Sequence, residues 1–254
     1  MTAKNQKNKE SQWFGFEQVD PSEKTERVIG VFDSVAERYD IMNDLMSGGI
    51  HRLWKKKFVT LMRPAAHKTL LDVAGGTGDI AFRYRKKAGP DSHITVFDLN
   101  AEMLAVGQNR AIDRGYLNGF DWVKGNAEKL PFHDRQFDLY SISFGLRNVT
   151  HIDDALAEAY RVLKPGGQFF CLEFSNVDNP ALRKIYDAYS FNIIPKVGEI
   201  VAKDRDSYQY LAESIRQFPT RQALARRMKD AGFEHVKAIP LTGGIAAIHV
   251  GSRI

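Results

Sequence analysis

Residues 70–79 read Leu-Leu-Asp-Val-Ala-Gly-Gly-Thr-Gly-Asp, an apolar run that stops in a cluster of glycines and continues into Ile80-Ala81-Phe82. That order dictates strand, tight turn, helix. Gly75, Gly76 and Gly78 free the backbone for a sharp turn and leave room for a ligand where a Cβ would stand. The helix that follows turns its unpaired N–H groups toward the same space. In an open α/β sheet such a turn, at the carboxyl end of a strand, is where nucleotide-like ligands bind. Gly76-x-Gly78-x-x-Ala81 fits the dinucleotide fingerprint, and Asp98 follows at the spacing of an acid that accepts from a ribose diol.

The rest of the chain alternates in the way this turn requires. Strands are predicted near 69–74, 94–98, 120–125, 137–143 and 168–174, with helices at 79–88, 101–114, 127–130, 153–163 and 180–193. Asn100 is placed to cap the second of these helices, and Thr150-x-x-Asp153 has the pattern of a capping box. Pro165-Gly166-Gly167 reads as a turn before the fifth strand. A helix at 220–231 and two strands near 235–241 and 245–251 follow, the strands joined by Thr242-Gly243-Gly244 and therefore antiparallel. The expected fold is α/β: a Rossmann-like, doubly wound, mostly parallel seven-stranded sheet with an antiparallel last strand. Ahead of the glycines, helices are predicted over 24–40 and 50–62, which is late for the glycine turn of a plain dinucleotide domain. The expected organisation is a tail over 1–12 and one domain over 13–254. Within it, 13–66 forms a helical lid, 67–254 the core, and 180–217 a helical insert after strand five.

Composition narrows the class. With 43% hydrophobic and 26% charged residues the chain is globular. The net charge of +5 is spread over small clusters at Lys55–Lys57 and Arg83–Lys87. It suits an anionic membrane surface and does not by itself imply nucleic acid, which is not expected as a partner. The single cysteine, Cys171, lies in the apolar run Phe169–Leu172 and reads as a buried core thiol. The polar start and the lack of an apolar run near the roughly 18 residues of a membrane span suit a cytoplasmic protein, peripheral at most. The seven histidines show no metal-ligand spacing, so no metal is expected.

The glycine turn alone leaves a nicotinamide dinucleotide and S-adenosylmethionine as rivals. Asp72, just before the glycines, would oppose a pyrophosphate and can instead help hold a cationic amino-acid portion. Asn126-Ala127-Glu128-x-Leu130-Pro131-Phe132, Phe137-Asp138 and Leu163-Lys164-Pro165-Gly166-Gly167 follow in order. Together these motifs resemble class I S-adenosylmethionine-dependent methyltransferases. A closer resemblance lies in Tyr39-Asp40-x-Met42-Asn43-Asp44-Leu45-Met46-Ser47, Gly49-Ile50-His51-Arg52-x-Trp54, Ser143–Val149, Tyr186–Phe191 and Tyr208–Ile215. These blocks are similar to the ubiquinone/menaquinone biosynthesis C-methyltransferase family, over about residues 14–252.

The resemblance implies methylation of a ring carbon of a polyprenylated benzoquinol or of demethylmenaquinol, with S-adenosylmethionine as cofactor. It places Thr77, Asp98, Asn126, Ala127 and Ser143 at cofactor-binding positions, alongside Asp72, Gly75, Gly76 and Gly78 from the turn itself. Arg147 is expected to stabilise the developing phenolate, with Asn148 orienting it and a carboxylate such as Asp40 or Asp44 taking the proton; arginine is a poor base. Tyr39, Asn43, Tyr189 and Tyr208 are the expected substrate contacts, with Tyr186, Tyr210 and Phe191 as further walls for a prenyl tail. Other quinone-biosynthesis enzymes, a homodimer and the inner face of the cell membrane are the partners such a role allows. An O- or N-methyltransferase, an NAD-dependent oxidoreductase and a non-catalytic cofactor-binding scaffold stand as alternatives. Lys55–Lys57 reads as a solvated helix face, and the tyrosine blocks taken alone as helix packing.

Overall fold

Continuous apolar runs bounded by turns make strands buried on both faces, as parallel sheets require. In the computed structural model, which describes residues 11–35, 43–44, 47–177, 180–190 and 205–254, those runs form β3 (Thr69–Val73), β4 (His93–Asp98), β5 (Phe120–Lys124), β6 (Phe137–Ser143) and β7 (Leu163–Phe174). With β8 (Glu234–Leu241) and β9 (Ala246–Ser252) they build one seven-stranded sheet in the order β5-β4-β3-β6-β7-β9-β8. The first five pair in parallel, and β9 is antiparallel to both β7 and β8. The doubly wound sheet with an antiparallel last strand is the one expected.

Alternate strand residues point to opposite faces. Leu70, Ile94, Val96, Leu139, Phe170 and Leu172 share one core. That core is covered by α2 (His51–Leu61), α3 (Asp79–Ala88) and α7 (Arg205–Gln217). Leu71, Val73, Phe97, Tyr140 and Cys171 face the other way, against α5 (Ile152–Val162) and α8 (Arg221–Asp230). Cys171 is buried as expected. The remaining helices are α1 (Pro21–Val35), α4 (Ala101–Asp113) and α6 (Pro180–Ala188). Asn100 caps α4, its side-chain oxygen accepting from the Met103 N–H at 2.9 Å.

Several local expectations are corrected. A hairpin of β1 (Gln12–Phe14) and β2 (Glu17–Val19) begins where a tail was expected to end. It is pinned by Phe14, whose ring stacks on Tyr210 at 4.2 Å, a long-range contact no local pattern announces. Residues 127–130 form turns and no helix. The capping box does not form: His151 is the N-cap of α5 and bonds no N–H of that helix through its side chain. Glu128 reaches in from the preceding loop and accepts from the backbone N–H groups of Thr150 and His151. Pro165-Gly166-Gly167 lies inside β7, at a register shift where Phe137 faces Leu163 and Leu139 faces Gln168. The tail over 1–10 and the far ends of the helices predicted to 40 and to 193 lie outside the described residues.

Between β3 and β6 the strand order reverses, opening a crevice at the carboxyl ends of the sheet. Two small residues set its floor. Ala74 holds a left-handed φ of 49°, a conformation that costs an L-residue about 1 kcal/mol or more. Its methyl occupies the space in which a Cβ on Gly145 would come to 2.3 Å. Gly145→Ala should therefore destabilise the fold by about 2 kcal/mol through overpacking. Adding Ala74→Gly should recover most of that loss, because the next neighbour of the new Cβ is Ile142 at 3.5 Å. A double-mutant cycle of denaturant melts measures the coupling.

Candidate active site

The crevice widens into a cavity of about 1060 Å³, its mouth included, roofed by Thr25, Val28, Ile29 and Phe32 of α1. Thr77, Gly75, Gly76, Asp98, Asn126, Ala127 and Ser143 all line it, as does Asp72. Gly78 does not; it shapes the turn as the left-handed N-cap of α3.

At one end, Asp98 closes β4 and holds the glycine turn against it. Its Oδ2 accepts from the Gly76 N–H at 2.8 Å and its Oδ1 from the Asn100 N–H at 2.9 Å. Burial pushes its carboxyl up to about 6, against the pull of these backbone donors. Asn126 folds its own loop, Oδ1 accepting from the Glu128 N–H at 2.9 Å, which leaves its NH2 as a donor. Asn126 thus both caps its loop and stands on the cavity wall.

In the middle sits Asp72, directly across the ladder from Ser141. The Ser141 hydroxyl donates to Asp72 Oδ1 at 2.6 Å. Among the described residues neither Oδ2 nor the Ser143 hydroxyl, both buried, has a hydrogen-bond partner. Burial raises the Asp72 carboxyl to about 7, with the Ser141 hydroxyl and the Ala81 backbone N–H of α3 pulling the other way. A buried carboxylate with one open oxygen is costly unless a cation or donor completes it.

At the far end Asn148 and Phe144 reach the cavity wall, and Arg147 does not. Arg147 is buried against Glu173 of β7: its Nη1 lies 3.2 Å from Glu173 Oε2, and its own N–H donates to Oε1 at 3.2 Å. Nη1 also donates to the Phe144 carbonyl. Burial pushes the Glu173 carboxyl up while Arg147 pulls it down. Asn148 is oriented from behind, its Oδ1 accepting from the Tyr210 hydroxyl at 3.0 Å.

Other expected residues fall elsewhere. Tyr39 and Asp40 lie outside the described residues. Asp44 is clamped by Arg52 at 2.6 Å and by His51 at 2.8 Å. The Arg52 bond and the His51 bond outweigh burial and hold its carboxyl down to about 2, which makes it a weak proton acceptor. Asn43 is buried, Tyr208 is fully buried in the core under α2, and Tyr189 packs against that same core.

Two residues were missed. Lys55 is no solvated face: it is 3% exposed and pairs with Asp79 at 2.8 Å, and both line the cavity. The signal was its helical phase, since it shares one face of α2 with His51, Trp54, Phe58 and Val59. Glu173 is the lone acid in the apolar run Phe169–Phe174, where a charge must have a partner. Histidine spacing also did not announce that Glu128, His151 and Asp154 gather within 4.8 Å; Glu128 there serves the start of α5.

A doubly wound sheet with an acid at the end of β4 and an open carboxylate beside the glycine turn defines a class I S-adenosylmethionine-dependent methyltransferase. Solved structures share this fold: a SAM-dependent methyltransferase from Aquifex aeolicus is 15% identical with a TM-score of 0.60, over 93% of this chain and 100% of the other. The chain belongs to the ubiE/COQ5 methyltransferase family, whose model matches residues 21–253. A Methylobacterium nodulans protein named ubiquinone/menaquinone biosynthesis C-methyltransferase UbiE is 59% identical over 95% of this chain and 96% of its own length. A Brucella abortus protein of the same name is 54% identical over 95% and 90%. The cofactor is S-adenosylmethionine, and the residues present fit it: the open Asp72 oxygen faces the need of a cationic amino-acid group.

Asp72→Asn should act in opposite directions on stability and binding. The folded chain retains a proton at Asp72 up to about pH 7 that the unfolded chain releases near its ordinary value, so this group lowers stability as pH rises through that window. The variant should therefore melt higher than the parent at about pH 8 and little differently at about pH 4. It should bind S-adenosylmethionine at least about tenfold more weakly, the value of a charge-assisted hydrogen bond. In the parent, affinity should rise with pH through about 7, and in the variant that rise should shrink. Calorimetry across pH checks both.

Proposed function

We propose that this chain transfers the methyl group of S-adenosylmethionine to a ring carbon of a polyprenylated benzoquinol or of demethylmenaquinol. Its kinship with the two relatives named above supports the reaction, and one observation in the chain's own geometry carries it. The cavity lining joins the polar Asp98, Asn100 and Asn126 to the apolar rings Phe32 and Phe144, and Asn148 stands in that wall with its amide oxygen held by Tyr210.

The cofactor supplies an electrophilic methyl on a sulfonium. The chain's task is to hold an electron-rich ring carbon in line with it, and alignment alone can supply much of the rate. Asp98 takes the ribose hydroxyls, and Asn126 with the Ala127 N–H takes the adenine edge. Gly75, Gly76 and Thr77 wall the amino-acid end beside Asp72 and Ser143. Because Tyr210 donates to Asn148 Oδ1, the amide presents its NH2 to the cavity. That donor stabilises the oxygen of the quinol as its proton leaves and density enters the ring. Arg147, neutralised by Glu173, holds the 3-10 turn Leu146–Asn148 and acts on the substrate through Asn148. An oxidised quinone lacks the donor hydroxyl and is a poor nucleophile. Tyr39 is proposed to touch the ring and tail, with Asp40 as proton acceptor, while the buried Asn43 and Tyr208 and the core-packed Tyr189 act through packing. Residues 13–66 act as the lid.

No helix among the described residues is long and apolar enough to cross a membrane. A prenylated substrate is reached from the surface of one. The outer face of α2 carries Leu53, 67% exposed, beside exposed Lys56 and Lys57, a pattern suited to an anionic bilayer.

Methyl transfer from labelled S-adenosylmethionine to a short-tailed demethyl-quinol should occur with reductant present and fail without it. Asn148→Ala should lose about a hundredfold in kcat, the value of one donor to a developing oxyanion, with cofactor affinity retained. Product under oxidising conditions, or an Asn148→Ala variant with full turnover, would sink this reading.

A further inference from the structure

A buried lysine needs a partner worth its desolvation. Lys55 Nζ meets Asp79 Oδ2 at 2.8 Å, yet an ammonium carries three N–H donors and Asp79 engages one direction only. Asp79 is itself doubly paired, since Arg83 Nε lies 2.6 Å from its Oδ1. Burial works against that carboxylate, and Lys55 and Arg83 together still hold it down to about 2. Lys55, Asp79 and Arg83 thus carry a net positive charge, with the lysine end turned to the cavity wall and Arg83 toward solvent.

The surroundings specify which anion this charge suits. Asp79 opens α3 directly after the glycine turn and Asp72 stands just before that turn, and both line the cavity together with Lys55. Lys55 therefore stands at the wall of the crevice that the glycine turn and the start of α3 form. Phe144 closes its other flank, the ring centre 5.8 Å from Nζ. A buried carboxylate and a buried ammonium in the wall of one cavity match a zwitterionic amino-acid group, ammonium to Asp72 and carboxylate to Lys55. Arg147 cannot fill this role, because Glu173 already balances it away from the cavity.

We propose that Lys55 binds the carboxylate of the methionyl portion of S-adenosylmethionine. Because Lys55 is carried by α2, on the chain's N-terminal side of the glycine turn, the cofactor then bridges the lid segment and the Rossmann-like core. The inference rests on Asp72 receiving the ammonium of the same group.

Three ligands separate the possibilities by calorimetry on the full chain. S-adenosylhomocysteine has the whole amino-acid portion, decarboxylated S-adenosylmethionine lacks only the carboxylate, and 5′-methylthioadenosine lacks both charges. Lys55→Met should weaken S-adenosylhomocysteine about tenfold or more and leave the other two within about twofold. Lys55→Arg should restore most of the affinity. Asp72→Asn should weaken decarboxylated S-adenosylmethionine, which Lys55→Met spares. Equal losses for all three ligands would make Lys55 a structural residue and overturn the proposal. Unchanged affinities with reduced turnover would overturn it too, moving Lys55 to the methyl acceptor. A parent chain that binds S-adenosylhomocysteine no better than 5′-methylthioadenosine would remove the amino-acid subsite altogether, Asp72 included. If Lys55→Met does not fold, Lys55→Gln carries the same comparison.

Discussion

Across the ladder between β3 and β6, the Ser141 hydroxyl satisfies one oxygen of the Asp72 carboxylate and leaves the other bare. The pair sits where the strand order reverses, so the bare oxygen looks into the one crevice that a doubly wound sheet cannot fill with its own side chains. A charge left incomplete in the core costs stability, and the fold carries that cost at the point where a ligand repays it. The glycine turn, the left-handed Ala74 and the small Gly145 keep this space open. The Asp98 carboxylate, bound to the Gly76 N–H, fixes how far the turn stands from β4.

Charge is distributed around the cavity with a clear division. Arg147 and Glu173 cancel in the interior, so their contribution is to shape: they anchor the turn that carries Asn148. Lys55, Asp79 and Arg83 do not cancel, and their excess lies at the wall. Tyr210 links the Arg147 turn to the N-terminal hairpin, donating to Asn148 through its hydroxyl and stacking its ring on Phe14. The hairpin, α7 and the turn Leu146–Asn148 are therefore tied together through one side chain. A change in any of them bears on the Asn148 amide in the cavity wall.

Much of this was legible in the chain. Strand, glycine turn and helix at 69–88, the alternation after it and the antiparallel close follow from apolar runs and turn residues, whose preferences are local. The wall residues Asp72, Asp98, Asn126 and Ser143 were readable because each sits at the end of a strand, and the sheet brings strand ends together by construction. Expectations failed where a distant group displaced a local one. Glu128, on the turn folded by Asn126, takes the Thr150 and His151 N–H groups just ahead of α5, where the Thr150 box was expected. Residues 127–130 were too short to be a helix once that turn took their hydrogen bonds.

The sequence by itself determined the sheet, its crevice and the ligand class, since period, glycine placement and residue type act over a few neighbours. Only the tertiary structure decided the fate of the charges. Lys55 and Arg147 are both cations beside apolar residues, and nothing local distinguishes them. One meets a carboxylate that another arginine already balances and keeps its charge for the cavity; the other meets Glu173 and is neutralised. Coulombic partnership depends on distance in space, and distance in space is settled only when the chain has folded.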